Sequence, residues 1–217
     1  MKGGYDLHLN IKGLTFKHFK DNFTSYFIMF ILLVIGIAIG SISIKILNIE
    51  EKNEIVGFFN SFFKLLYNDS INSKLLFKES LIGNAKLIFI IWITGAVIIG
   101  IAIIPIVVLF RGYAIGFTVG FLVNEFGLKG FLFSVFALLP QNIFIVPGIV
   151  SISSIGLSYS LNKLKYKRRK IGSSNSLKNF INYSSLMLLF CILLVIGSIV
   201  EAYITPIFMR FIVGHIN

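Results

Sequence analysis

The chain has 217 residues, of which 56% are hydrophobic and only 13% charged, with a mean hydropathy of +0.89 and a formal net charge of +11. A soluble domain carries about 25% charge, so a water-soluble globule is excluded; the charged residues fall between five uncharged stretches. Cys191 is the only cysteine, which leaves no disulfide framework and no thiolate metal site. The positive charge mostly flanks apolar runs, where it sets topology and argues against a nucleic-acid partner.

In chain order, residues 1–23 are polar and basic, with Lys2, Lys12, Lys17 and Lys20. Tyr26–Ile44 then offers 19 uncharged residues, close to the ~20 that a helix needs to cross a bilayer. A cleaved signal peptide has an apolar core of only ~7–15 residues and a small-residue cleavage site. Neither is evident, so a retained first span is expected over 24–44. Gly36 and Gly40 share one face of it, which suits close helix contact.

The interval 45–86 is the one large polar piece. In it Ile55, Phe58, Phe59, Phe62, Phe63 and Leu66 recur at helical spacing, and Asn48 with Glu51 resembles a helix-start capping pair. The pattern predicts an amphipathic helix lying on the membrane surface. A helix packed on its own bundle fits as well, and Phe58, Phe59 and Phe62 are also a candidate partner-docking face. Asn68–Ser73 reads as a turn.

A second span is expected over 87–110, with Trp92 in the interfacial aromatic belt, Pro105 kinking the helix near its exit, and Arg111 marking that exit. Residues 112–124 make only ~20 Å of helix, short of a ~30 Å hydrocarbon core. There Gly112, Gly116 and Gly120 form a doubled G-x-x-x-G face for packing, for a partner or for self-association. A turn follows at Glu125–Gly130. The fourth span, 131–159, places Pro140, Gln141 and Asn142 near mid-membrane. A basic loop, 160–182, carries the densest charge run, Lys163–Lys170, and a flexible tail at Gly172–Ser176. The fifth span is 183–206, interrupted by Glu201 and closed by Pro206.

The fold class is therefore an all-α integral membrane protein. It has about five transmembrane helices, the third short and glycine-rich, and an amphipathic extracytoplasmic helix. Basic residues stay in the cytoplasm, and five crossings leave the N-terminus and the run at 163–170 inside. The interval 45–86 and the C-terminus are then outside.

No catalytic set appears. His8, His18 and His215 lie in polar segments at opposite ends of the chain, and no nucleotide-binding glycine loop or His-Glu-x-x-His is present. No metal or cofactor is called for. Gln141 and Asn142 are candidate intramembrane polar residues. They bind a solute or a helix or, as the favoured reading, satisfy the carbonyls of Phe136 and Ile143 that Pro140 and Pro147 leave unpaired. Glu201 is a functional candidate by default, with a water-exposed interfacial carboxylate as the plain alternative.

Five blocks resemble the stage II sporulation protein M family: Asn84-x-Lys86, Trp92–Gly100, Phe110–Leu122, Leu139–Pro147 and Glu201–Pro206. The similarity runs over residues 14–212, and its specific parts are R-G-x-x-x-G-F-T-x-G-F and L-P-Q-N. The resemblance implies a protein of endospore-forming bacteria in the mother-cell membrane at the sporulation septum. Its implied partners are a lytic transglycosylase and an amidase/endopeptidase that thin septal peptidoglycan for engulfment of the forespore. Its implied role is a non-enzymatic scaffold, and no active-site residue carries over. More distant relatives carry a charged residue or histidine near the position of Gln141 and Asn142, and the neutral amides here argue against proton chemistry. The residues themselves leave two alternatives open, a transport permease subunit and an intramembrane enzyme built on Glu201.

Overall fold

The computed structural model describes residues 19–67, 72–169 and 176–216, which are helical apart from short turns and contain no strand. Most of the basic N-terminus, most of the turn read at Asn68–Ser73, and Lys170 with nearly all of the predicted tail lie outside the described residues.

Helix α1 (Phe23–Ser43) buries Tyr26, Met29, Leu33, Gly36 and Gly40 at three- and four-residue spacing. Its other faces are no less apolar, with Phe27, Ile31, Val34, Ile35 and Ile39 exposed. A helix that is hydrophobic all round belongs in lipid or in a large core. After a 3₁₀ turn at Ile44–Ile46, α2 (Ile49–Tyr67) starts where the Asn48 backbone N–H donates to the Glu51 carboxylate at 2.9 Å, half of the expected capping box. Helix α3 (Ser73–Gly95) is capped by the Asn72 side chain, which accepts from the Lys74 and Leu75 N–H groups.

Helix α4 (Gly100–Arg169) is two arms that meet at Gly127, where φ is 58° and ψ is −134°. Only glycine takes that conformation without strain. The second arm, 128–169, folds back along the first, 100–126, so that Gly156 lies against Ile104. The chain ends in α5 (Ser176–Ile199), a π-helical turn (Val200–Ile204) and α6 (Thr205–Ile216).

Among the described residues, α1, α3, the two arms of α4, and α5 with α6 run between the two ends of the bundle. At one end the Ser158 hydroxyl donates to Ser25 Oγ at 3.0 Å, and Tyr183 donates to the Trp92 carbonyl at 2.8 Å. At the other end Gly120 meets Ile44, and Phe59 of α2 stacks on Phe121 at 5.6 Å between ring centroids. Among the described residues, three helical stretches are long and apolar enough to cross a membrane: Phe23–Ile46, Gly100–Arg168 and Leu177–Phe211. A core of Met29, Leu33, Ile104, Val108, Ile145, Ile149 and Leu194 fills the space between the passes.

The helix boundaries differ from the sequence reading in four places. The run 87–110 is not one helix, because the chain turns at 96–99. An apolar stretch can turn there because the second arm of α4 supplies donors. Ser160 Oγ donates to the Gly95 and Val97 carbonyls, and Lys163 Nζ to that of Ala96, each at 2.8 Å. Pro105 therefore sits near the start of its helix, not near an exit. Residues 112–124 are not a separate short helix but the continuation of one that begins at Gly100, so Arg111 lies mid-helix. The polar interval contributes a pass of its own, since α3 begins at Ser73 and Asn84 is buried. The basic loop is helical as far as Arg169, and α5 begins at Ser176, ahead of the expected Tyr183.

On α2, Leu66 is buried in a cluster with Leu122, Phe133, Ala137 and Met209, and Phe59 and Phe62 pack against it. This is the own-bundle packing that the sequence left open, and Phe58 alone of the three phenylalanines is exposed, at 68%.

Candidate functional site: a polar seam in the bundle core

Glycine spacing decides how α1 meets the first arm of α4. Leu33, Ile37 and Ser41 face Gly112, Gly116 and Gly120 in parallel register, and Gly36 and Gly40 face Leu109 and Tyr113. A Cβ at any of these glycines would strike the opposite backbone or side chain, so two G-x-x-x-G faces close on each other. The ladder at 112, 116 and 120 is thus occupied within the chain. Beyond it Tyr113, Phe117 and Phe121 stack in a column that Phe59 of α2 extends, and Ser43 donates to the Tyr113 hydroxyl at 3.0 Å.

This contact sets the depth of Arg111. Its neighbour Gly112 abuts Leu33 and Gly36, so Arg111 lies level with the middle of α1, ~15 Å from either end of that helix at 1.5 Å per residue. Its Nε is sealed from solvent and has no hydrogen-bond partner among the described residues.

Three other passes bring polar groups to the same interior. From α3 come Ser80 and Asn84. The Ser80 hydroxyl donates to the Glu201 carboxylate at 2.5 Å, and Asn84 Nδ2 donates to Ser198 Oγ at 2.9 Å. From the second arm of α4 comes Gln141, whose Oε1 accepts from Thr205 at 2.9 Å, both residues being buried. Asn142 Nδ2 donates to the Leu138 carbonyl at 2.8 Å, while its Oδ1 is buried with no partner among the described residues. The amides therefore engage the protein, but Asn142 reaches neither the Phe136 nor the Ile143 carbonyl that was expected to need it.

Glu201 owes its position to the π turn. Pro206 has no N–H to return to Ala202, and the Thr205 N–H closes on Val200 five residues back instead. The wider turn carries Glu201 toward α3 and Thr205 toward Gln141. Glu201 is partly buried, not a freely hydrated interfacial group. Its carboxylate acts on Arg111 through space, although no hydrogen bond joins the two among the described residues.

The sequence reading named Gln141, Asn142 and Glu201 and missed Arg111, Ser80, Asn84, Ser198 and Thr205. Arg111 carried a signal, since it stands one residue before a G-x-x-x-G ladder that requires a close partner. Asn84 carried one in the Asn84-x-Lys86 block, whereas Ser80 carried none, because it lies in a stretch whose charge resembles that of an outer loop. Among the described residues, no three of His, Cys, Asp and Glu come together to hold a metal.

The family model for stage II sporulation protein M matches residues 29–206. The chain belongs to that family. The match runs from α1 to the π turn and so takes in every residue of the seam. As a member of the stage II sporulation protein M family, the chain is a sporulation-related membrane protein. Four of the sequence blocks that resemble the family, around Asn84, Arg111, Gln141 and Glu201, each supply residues to this interior. No curated protein and no solved structure matches the chain.

Proposed function

We propose that this protein is the non-enzymatic membrane scaffold of the sporulation septum. In this reading it recruits the lytic transglycosylase and amidase/endopeptidase that thin septal peptidoglycan before the mother cell engulfs the forespore. It sits in the mother-cell membrane with five crossings, its N-terminus in the cytoplasm and α2 outside. The observation that carries the reading is the seating of α2 across the end of the bundle. Phe59, Phe62 and Leu66 hold the helix down, while Phe58, Glu50, Glu51 and Glu54 remain exposed on it. Such a rigid, displayed helix edge suits recruitment of a wall hydrolase on the outer side, where the wall lies.

The test is localisation of the two fluorescently tagged hydrolases in sporulating cells. Phe58→Asp should disperse both from the septum while the scaffold itself stays inserted and folded. Normal recruitment by that variant would remove α2 as the docking edge.

A second reading, a permease subunit, is favoured by the mid-bundle position of Arg111 together with Asn142 and Glu201, since charged groups inside a membrane mark solute paths. Under it, Gln141→Leu and Asn142→Leu abolish function in a protein that still folds and still binds the hydrolases. The scaffold reading expects both variants to support engulfment.

A further inference from the structure

We propose that Arg111 forms an intramembrane binding site for a small oxyanion, whose paired phosphate or carboxylate oxygens meet its guanidinium fork in the bundle core. Arginine remains charged at any ordinary pH, and an uncompensated charge inside a membrane is strongly disfavoured. Yet Arg111 Nε is sealed without an acceptor among the described residues.

Among the described residues, no acceptor of the seam closes on Arg111 Nε. Glu201 acts on Arg111 only through space, its carboxylate being bonded to Ser80. Asn142 turns its amide to Leu138, and its Oδ1 is sealed without a donor among the described residues. Gln141 Oε1 is taken by Thr205. On the α1 side, Gly36 and Gly112 bring two backbones together and offer no side chain. A guanidinium edge whose Nε is sealed without an acceptor among the described residues belongs to the planar group that recognises carboxylate and phosphate through two parallel hydrogen bonds.

The depth of Arg111, ~15 Å along α1 from either end, favours a small soluble anion over a lipid headgroup, which stays at the membrane surface. The chemistry of the contact is the same for both sources.

The full-length protein, purified in neutral detergent, is unfolded thermally while inorganic phosphate is titrated against a matched chloride series. A parallel series uses phosphatidylglycerol. Phosphate should raise Tm saturably. Arg111→Lys keeps the charge but loses the fork, and should weaken the apparent affinity about tenfold. Glu201→Gln removes the opposing carboxylate and should strengthen it several-fold. A saturable, Arg111-dependent response to phosphatidylglycerol alone would support the same contact with a lipid phosphate as the source. A wild-type Tm indifferent to both series overturns the proposal, as does an unchanged affinity in both variants.

Discussion

Gly116 lies so close to Ile37 that a methyl group added to it would enter the Ile37 backbone. The contact joins residues far apart in sequence that run in the same direction, so an intervening pass must bring the chain back. That pass is α3, the segment whose charges made it look like an outer loop. The close approach of α1 to α4 thus accounts both for the glycines and for the need to draw Ser80 and Asn84 into the interior.

Gly116→Leu should therefore separate α1 from α4. Overpacking a close contact costs about 1–3 kcal/mol or more, and here the backbone itself is in the way. A lower Tm and loss of the monodisperse species on size exclusion would be measured. Gly57, with nothing within 4 Å of its would-be Cβ, is the control. Gly57→Ala should stabilise α2 by about 0.5–1 kcal/mol, because glycine is a poor helix former.

The bond between Gln141 and Thr205 crosses from the second arm of α4 to α6 in a buried setting. Thr205→Val leaves Gln141 Oε1 without its donor and should cost about 1–3 kcal/mol. Gln141→Leu in the Thr205→Val background should cost less than the two single changes added together. A double-mutant cycle on detergent unfolding reads the coupling, and strict additivity would mean that the pair is not joined.

Phe58 and Phe59 are neighbours with opposite roles. Phe59 stacks on Phe121 at an interplanar angle of 16°, a ring contact worth about 1 kcal/mol beyond the area it buries. Phe59→Ala should loosen α2 and speed proteolysis within 49–67. Phe58→Ala should leave stability unchanged, since its ring is exposed. Equal proteolysis rates for the two variants would contradict the seating of α2.

Single cysteines at Asn60, Gly127 and Arg168, introduced after Cys191→Ala, would map the proposed crossing pattern. The first two lie at one end of the bundle and the third at the other. Positions 60 and 127 should react with an impermeant maleimide on intact cells, and position 168 only after permeabilisation. Labelling of 168 from outside would invert the proposed orientation.

The sequence by itself determined that lipid is the solvent, that the chain is helical, where α1 begins and ends, that α2 is amphipathic, and that glycines mark a close contact. Each of these depends on local composition or on spacing along one helix, and hydropathy and periodicity record both. The partners were decided only in three dimensions. The turn at 96–99 exists because Ser160 and Lys163, more than sixty residues away, supply donors to its carbonyls. The charge on Arg111 reads as a membrane boundary in one dimension and becomes a core group only when α1 packs beside it. Ser80 and Asn84 enter the interior because the π turn before Pro206 presents Glu201, and Ser198 lies just ahead of it. Hydrogen bonds between helices depend on register and rotation, and neither is encoded within a single apolar run.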